Sequence, residues 1–384
     1  MPKNAGLSNA KNAKKDEFYT TYEDIQKELN YYEDKFQGKT VLCNCDDPYE
    51  SNFCKFFLKN FNFLGLKRLI CTSYSSSSIL GDGLLPLFDD LNDPITKENA
   101  YVFDINEVPM ANCRGVSDDD IERLLTSDNR GVKKLKGNGD FRSEECVEYL
   151  KQADIVVTNP PFSLFREYIA QLMEYKKQFL IIGNVNAITY KEIFPLIKDN
   201  KLWLGASIHS GDRKFYVPDD YPLNASGCGI ESDGRKFIRV KGVRWYTNID
   251  YPQRHENLDL YRKYYGHESD YPKFDNYDAI NVDRTSDIPC DYFEDIGVPI
   301  TYLDKHNPDQ FEIVKFRKGN DEKDLTYTRT KQSLLTDRQT DRQTDRQTDR
   351  QTDRQTDRQR ITPYFRIIIR RKMQWHHGGS NHIP

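Results

Sequence analysis

The stretch Ala153-Asp154-Ile155-Val156-Val157-Thr158-Asn159-Pro160-Pro161-Phe162 is an apolar run that halts at two prolines. Continuous Ile and Val without alternation is the pattern of a strand covered on both faces, as in a parallel sheet. Proline cannot continue a ladder, so the strand ends there. An amide side chain, backbone carbonyls with no competing N–H, and an aromatic ring are thereby held at the carboxyl end of a strand. Open α/β sheets bind their ligands at that end.

The flanking segments keep the same rhythm. Upstream, Gly139-Asp140-Phe141 precedes a helix over residues 144–152. Downstream, Phe162, Phe165, Ile169 and Leu172 have helical spacing, residues 178–183 form another buried strand, Thr189 and Glu192 make a capping box, and residues 201–204 form a short strand. Near the amino terminus, Thr21 and Asp24 start a helix that Gly38 stops after about residue 36. A strand over residues 40–43 runs into Asn44-Cys45-Asp46-Asp47-Pro48. A helix over 50–61 then repeats Phe53, Phe56, Phe57 and Phe61 on one side, and residues 67–74 supply a second strand. This is a doubly wound α/β unit. Residues 75–135 read as an insertion with one strand around 101–103 and a helix near 118–126. After Gly205 aromatics, prolines and charges intermix and alternation replaces the βα rhythm, which indicates a lobe of strand and loop.

Composition bounds the partners. The 384 residues suffice for a catalytic domain and a second lobe. With a net charge of −4 no global basic field announces a polyanion, so local patches must carry such a claim. The eight cysteines include no Cys-x-x-Cys pair, and Cys43 and Cys45, with no histidine nearby, read as buried thiols rather than a metal site. No apolar run approaches the ~20 residues of a membrane span. The polar, lysine-bearing leader 1–15 is no secretory signal. A cytoplasmic, reduced protein without metal or membrane association is expected.

The proline-locked stretch has a specific chemistry open to it. The exocyclic amine of adenine is a poor nucleophile because its lone pair is delocalised into the ring. Two acceptors that take its two protons drive the nitrogen toward tetrahedral geometry and free the lone pair. The Asn159 side-chain oxygen and the Pro160 carbonyl are such acceptors, and Pro160 and Pro161 hold them in place by fixing their own φ and restricting the residue before. Phe162 offers a face for a flat base. What remains is in-line positioning against a methyl sulfonium. A base within a duplex must be flipped out to reach such a pocket, at roughly a few kcal/mol. The plain alternative is a strand-terminating turn, for which Asn and Pro are common residues.

The chain resembles the EcoRI-type adenine-specific DNA methyltransferase family, within the wider class of amino-methyltransferases that carry Asn-Pro-Pro-aromatic. The matching blocks are Asp16-Glu17-Phe18-Tyr19-Thr20, Cys43 to Pro48 with Ser51-Asn52-Phe53, and Gly139 to Glu145. Asp154 to Glu167, Ile181 to Pro195, Trp245-Tyr246-Thr247-Asn248 and Arg366 to Lys372 complete the set. The resemblance implies a seven-stranded, Rossmann-like sheet with S-adenosylmethionine across the ends of its first strands, and methyl transfer to adenine N6 in a specific DNA site. It implies that Asn159, Pro160, Pro161 and Phe162 are catalytic. Phe18, Tyr19 and Thr20 would close over the cofactor. Asp46, Asp47 and Pro48 would lie under its methionine part, Asn44 and Cys45 just before them would also bind the cofactor, and Asp140 and Phe141 would hold its adenine. Two features depart from methyltransferases at large: the first strand lacks a Gly-x-Gly loop, and no acidic residue follows the second strand, for which Gly81-Asp82-Gly83 is a weak substitute. RNA or protein-amide methylation by the same motif, and a non-catalytic DNA-binding regulator on the same fold, are the rival readings.

The expected organisation is therefore a leader to residue 15, a cofactor-binding catalytic domain over 16–204 and a target-recognition region over 205–330. A disordered repeat over 336–359 and a basic segment over 360–384 complete the chain. For double-stranded DNA the candidate surface is residues 235–245, where Arg235, Lys236, Arg239, Lys241 and Arg244 interleave with aromatics and no acidic residue intervenes. His209, Arg213 and Lys214 are secondary candidates, and His255, His267 and His306 read as surface histidines. A cognate restriction endonuclease is the partner that the resemblance implies.

The repeat is Thr-Asp-Arg-Gln six times from Thr336 to Gln359. It has no apolar residue and no net charge, so it cannot bury a core. The tetrapeptide can be encoded by ACA-GAC-AGA-CAG, which is the tetranucleotide ACAG three times over. A nucleotide tract whose slippage shifts the frame, and so makes expression phase-variable, competes with a flexible spacer selected as peptide.

Overall fold

The computed structural model describes residues 19–45, 51–73, 100–109, 116–117, 120–121, 131–209, 211–217, 221, 223, 227–330 and 358–373. Phe18, Asp46, Asp47, Pro48, the leader, Gly81 to Gly83 and the repeat as far as Asp357 lie outside the described residues. The chain divides into two compact units between Tyr251 and Pro252.

The first unit begins with β1 (Tyr19–Thr20) and α1 (Tyr22–Leu29), capped by Thr21, whose hydroxyl accepts from the Asp24 N–H at 3.3 Å. A 3-10 turn over Asn30–Lys35 replaces the last part of the expected helix. Next come β2 (Thr40–Cys43), α2 (Asn52–Lys59) and β3 (Arg68–Thr72). Ser51 caps α2 by accepting from Phe53 N–H at 3.1 Å. The helix buries Phe53, Phe56 and Phe57, each worth roughly 1.5–3 kcal/mol. After β4 (Tyr101–Ile105) and β5 (Val132–Lys134), α3 (Glu144–Gln152) leads into β6 (Ile155–Thr158), all four of whose residues are buried. A 3-10 turn, Phe162–Leu164, delivers the chain into α4 (Phe165–Glu174), followed by β7 (Gln178–Asn184), α5 (Phe194–Lys198) and β8 (Trp203–Leu204). The unit closes with β9 (Asp212–Tyr216), β10 (Gly229–Ile230), β11 (Lys236–Lys241) and β12 (Val243–Thr247).

These strands make an eight-stranded mixed sheet of order β5-β4-β3-β2-β6-β7-β12-β8, rather than the expected seven-stranded one. Its centre, β3-β2-β6-β7, is parallel, and β4, β5, β12 and β8 add on antiparallel. The carboxylate of Asp154 accepts from the Thr40 N–H at 2.8 Å and ties the starts of β6 and β2 together. The chain moves outward from β2 to β3 and later returns to β6 on the other side of β2. The topological switch point is thus the gap between the carboxyl ends of β2 and β6, where the Asn159 stretch emerges.

Three expectations change. Thr189 caps no helix: its hydroxyl donates to Asn186 O at 2.7 Å within a 3-10 turn, and α5 starts from Ile193 without a side-chain cap. The sheet does not end at residue 204, because β12 inserts between β7 and β8 and carries the fully buried Trp245 into the core. Lastly, β1, β9, β11 and β10 form a separate four-stranded sheet within this unit.

The second unit holds β13 (Ile280–Asn281), β14 (Ile296–Pro299), β15 (Phe311–Phe316), β16 (Tyr327–Thr330), β17 (Arg358–Ile361) and β18 (Arg366–Arg371). Its sheet order is β13-β14-β18-β15, and β16 pairs with β17 as a two-stranded ribbon. The expected basic carboxyl-terminal segment is therefore a core strand. Ile367, Ile368 and Ile369 are fully buried, and Arg366 bonds Asn281 at 2.9 Å and Asp283 at 2.8 Å. Arg370 pairs with Asp295 at 2.7 Å. The repeat also ends differently than expected, since its last two residues, Arg358 and Gln359, lie in β17.

His306 is half-buried rather than an open surface histidine. Its Nδ1 lies 3.0 Å from the hydroxyl of the buried Tyr302. Burial first, then Arg254 and Lys372, push its pKa down to about 3. A depressed histidine contributes stability above its unfolded value near 6.5, and that stability drains away as pH falls toward 3. We expect the second unit to lose about 1–2 kcal/mol between pH 7 and pH 5 through this group. Thermal melts of wild type and His306→Gln across that range measure it; equal pH slopes would contradict the assignment.

Candidate active site

Three stretches that are distant in sequence meet near the switch point. Asn44 follows β2 and is buried. The hydroxyl of Tyr168, on the inner face of α4, donates to the Asn44 side-chain oxygen. Phe141 packs edge-on against the Tyr168 ring at 4.9 Å, and Gln171, one helical turn on, donates from Nε2 to the Phe141 carbonyl at 3.1 Å. The Asn159 stretch leads directly into this helix, so the expected catalytic and cofactor blocks are joined through α4. Sequence reasoning misses Tyr168 and Gln171. Their signal is the spacing from Phe165, which places Tyr168 on the buried face.

The proline pair shapes the turn after β6. Pro160 is buried, and Asn159, Pro161 and Phe162 are half-buried. The Pro161 carbonyl is committed to the Leu164 N–H at 3.0 Å. The Pro160 carbonyl accepts from no backbone N–H among the described residues. The turn is thus closed through the second proline's carbonyl and not the first's.

The Gly139-Asp140-Phe141 loop lies against the end of β3. Gly139 has φ +76°, and a Cβ there would stand 1.9 Å from the Ser73 carbonyl oxygen. The Asp140 carboxylate is bound by Arg142, Nε to Oδ1 at 2.9 Å and Nη2 to Oδ2 at 2.7 Å, which holds its pKa below the usual range. Arg142 also reaches Glu167 at 3.0 Å. Asp140 thus shapes the loop through Arg142, and Phe141 is buried against Tyr168.

At the other side of the switch point β1 pairs with β9, Tyr19 opposite Tyr216 and Thr20 opposite Phe215. Asn52, at the start of α2, donates to the Thr20 carbonyl at 2.7 Å. Cys45 is half-buried and Cys43 fully buried. No group of three or more metal-ligating side chains occurs among the described residues.

A polar cofactor fits these surroundings. Asn44 Nδ2, Thr20 Oγ1 and Gln171 Oε1 are buried with no hydrogen-bond partner among the described residues. Burying such atoms costs about 1–3 kcal/mol each unless a ligand or water satisfies them.

The basic stretch separates into two classes. Phe215 and Val240 are buried and Ile238 packs on the same core, so strand alternation puts Lys214, Tyr216, Phe237, Arg239 and Lys241 on the opposite face. Tyr216 stands across from Phe237 and Lys214 from Arg239. Arg235 lies over the Tyr216 ring at 4.1 Å, Lys214 over it at 5.3 Å, and Arg239 over Phe237 at 6.0 Å. Arg235 and Lys214 also pair with Asp233 and Glu231 at 2.6 and 2.7 Å. The Arg235–Asp233 pair is exposed and the Lys214–Glu231 pair half-buried, and solvent-screened pairs of this kind are weak enough for other anions to compete with the carboxylates.

Arg244 does not belong to this face. It is buried in the main sheet, with Nη2 donating to His209 O at 2.6 Å and Nη1 to Val243 O at 2.8 Å. Lys236 has the parity of the core-facing Ile238 and leaves it too. Arg213 also turns inward, its Nε 3.7 Å from Asp24. We expect Arg239→Ala to weaken duplex binding and lower the salt slope by about 1. Arg244→Ala should instead lower the melting temperature and leave that slope unchanged. Titrations at three salt concentrations distinguish the two, and a reduced slope for Arg244→Ala would refute its burial role.

The model of the family described as "Adenine-specific methyltransferase EcoRI" matches residues 6–372. The chain belongs to this family of adenine-specific methyltransferases. It is 49% identical to the Type II methyltransferase M.EcoRI of Escherichia coli over 320 residues, 83% of this chain and 91% of that protein. It is 40% identical to M.MpnI of Mycoplasma pneumoniae over 80% of this chain and 84% of that protein. It is 38% identical to M.MgeORF184P of Mycoplasma genitalium over 80% and 85%. Both are likewise Type II methyltransferases. No solved structure matches the chain. As a member of the family the protein is a methyltransferase with adenine as its target base.

Proposed function

We propose that this methyltransferase transfers a methyl group from S-adenosylmethionine to N6 of an adenine flipped out of a specific site in double-stranded DNA, as the modification half of a restriction–modification pair. The observation that supports the reading is that Asn44 and Phe141 meet Tyr168 on α4, the helix into which the Asn159–Phe162 turn leads, at the β2/β6 switch point of the mixed sheet. When bound, the cofactor supplies the methyl group on its sulfonium. Asn44 and Thr20 offer it hydrogen-bonding atoms. Tyr19, Phe18, Cys45, Asp46, Asp47, Pro48, Asp140 and Phe141 are the further residues proposed to surround it.

Asn159 Oδ1 and the Pro160 carbonyl accept the two protons of the adenine amine, and Phe162 stacks on the ring. Those contacts strengthen as the nitrogen becomes tetrahedral, so they favour the transition state over the ground state. No general base is required at the nitrogen before attack; the proton leaves after the new bond has formed. Residues 205–330 are proposed to read the target. On the first unit, Lys214, Arg235, Arg239 and Lys241 follow the phosphates, with Tyr216 and Phe237 between them. A cytoplasmic location follows from a chromosomal substrate. Among the described residues no helix is long and apolar enough to cross a membrane.

The test is labelled methyl transfer from S-adenosylmethionine to duplex DNA, to RNA and to protein. Label on duplex DNA alone, recovered as N6-methyladenine within one sequence context, is expected. Label on RNA or protein at equal or greater rate would overturn the reading. Binding of duplex without transfer to any substrate would favour a regulator.

A further inference from the structure

We propose that the Thr-Asp-Arg-Gln tract is a reading-frame switch, set where the fold accepts a change of length and cannot accept a change of frame. Two structural observations carry this. The first is where the tract enters and leaves the fold. β16 and β17 pair antiparallel, and their end pair sets Thr330, six residues before the tract, opposite Arg358 in its last copy. The described residues on either side of 331–357 are therefore neighbours. The entropic cost of a closed connection grows only with the logarithm of its length, so one tetrapeptide more or less changes little.

The second observation concerns the strand on the carboxyl side of the tract. β18 lies between β14 and β15 and hydrogen-bonds to both. Its Ile367, Ile368 and Ile369 are fully buried, and its Arg366 is anchored to Asn281 and Asp283. A frame change ahead of it removes the shared neighbour of two strands and the centre of a core. Sheets do not survive that loss by local adjustment, because both exposed ladders and the apolar face are left unpaired.

The genetic code supplies the link between these facts. Read as ACAG repeats, the tract gives ACA-GAC-AGA-CAG in one frame, CAG-ACA-GAC-AGA in the next and AGA-CAG-ACA-GAC in the third. All three spell the same Thr-Asp-Arg-Gln polymer in a different phase. Slippage inside the tract is thus silent within it, and its entire consequence falls on the residues from Arg360 onward. Gain or loss of one or two ACAG units abolishes β18. Gain or loss of three keeps the frame and changes only the number of residues between β16 and β17, by one tetrapeptide.

The inference rests on the methyltransferase reading only for what is switched. Its first test counts full-length protein by an epitope fused after Pro384, a readout that needs no activity. In clones grown from single cells, tract lengths should differ by whole ACAG units, with the epitope present at every third length. Mixed synonymous codons in the tract, or epitope present at all lengths, would overturn the proposal. The second test is made on the protein. Full chains lacking one or two Thr-Asp-Arg-Gln copies should fold and keep modification of duplex DNA within about twofold of the six-copy chain. A chain ending at Asp357 should lose protease resistance over residues 252–330 and methylate at least 100-fold more slowly. Loss of folding on removal of one copy would show a selected spacer, and full activity of the chain ending at Asp357 would show that the frame controls nothing; either outcome overturns the switch.

Discussion

Replacing Asn159 by Ala should lower the rate of methyl transfer by about 10²–10³, the scale on which enzymes lose rate when one preorganised polar contact to the transition state is removed. The position is built for that loss to be specific. Asn159 directly follows a strand whose four residues are all buried, and the prolines after it fix its exit, so an alanine there does not disturb the backbone. Cofactor and duplex dissociation constants should stay within about threefold of wild type, because the amide acts on the amine during reaction. Asn159→Asp retains an acceptor and should fall between the two. Phe162→Ala removes a stacking face worth roughly 1–3 kcal/mol and should weaken binding of duplexes whose target is already unpaired. Single-turnover rates with separately measured dissociation constants decide the matter. Unimpaired turnover by Asn159→Ala would remove the proposed mechanism.

Gly139→Ala should be the most damaging single methyl group in the first unit. Its φ of +76° is strained for any residue with a Cβ, and the added carbon would lie 1.9 Å from the Ser73 carbonyl oxygen and 2.9 Å from the Ala100 side chain. Backbone strain alone is worth roughly 1–3 kcal/mol, and the loop must also retreat from β3, so a loss of roughly 2–4 kcal/mol is expected. That retreat carries Phe141 away from Tyr168, so S-adenosylmethionine should bind at least tenfold more weakly. Two controls separate the causes. Gly38 has φ +70° with nothing within 4 Å of the added carbon, and Gly137 has neither strain nor a neighbour. Melting temperatures in the order Gly137→Ala, Gly38→Ala, Gly139→Ala, falling, are expected. A Gly139→Ala protein that melts with the Gly137→Ala control would disprove the close approach.

Residues 153–162, taken as a chain, already contain the centre of the sheet and its exit. Patterning alone is enough, because burial on both faces demands continuous Ile and Val and because proline forbids continuation. The helices at residues 144–152 and after Phe162 are legible for the same local reason. Less of the surface is legible. Residues 235–245 present five basic side chains in one run, yet the Gly242 turn divides them between two sheets. Arg239 and Lys241 stay on an open face, while Arg244 is drawn into the core and satisfied by carbonyls. Charge in a sequence does not say which way a side chain turns. The basic run at Arg366 misleads likewise, since its arginines neutralise Asp283 and Asp295 across strands that the sequence places more than 70 residues away.

What the sequence determined by itself is therefore the chemistry: an amide and a carbonyl held by prolines at a strand end, within a family whose target is adenine. Those depend on neighbours along the chain, where covalent geometry and periodicity act directly. What only the tertiary structure decided is placement. It brought Asn44 and Phe141 to Tyr168 on the helix that follows the Asn159 turn, sorted the basic residues between an open face and the core, and placed β18 between β14 and β15. These are pairings between residues far apart in sequence, and only burial in three dimensions chooses among them.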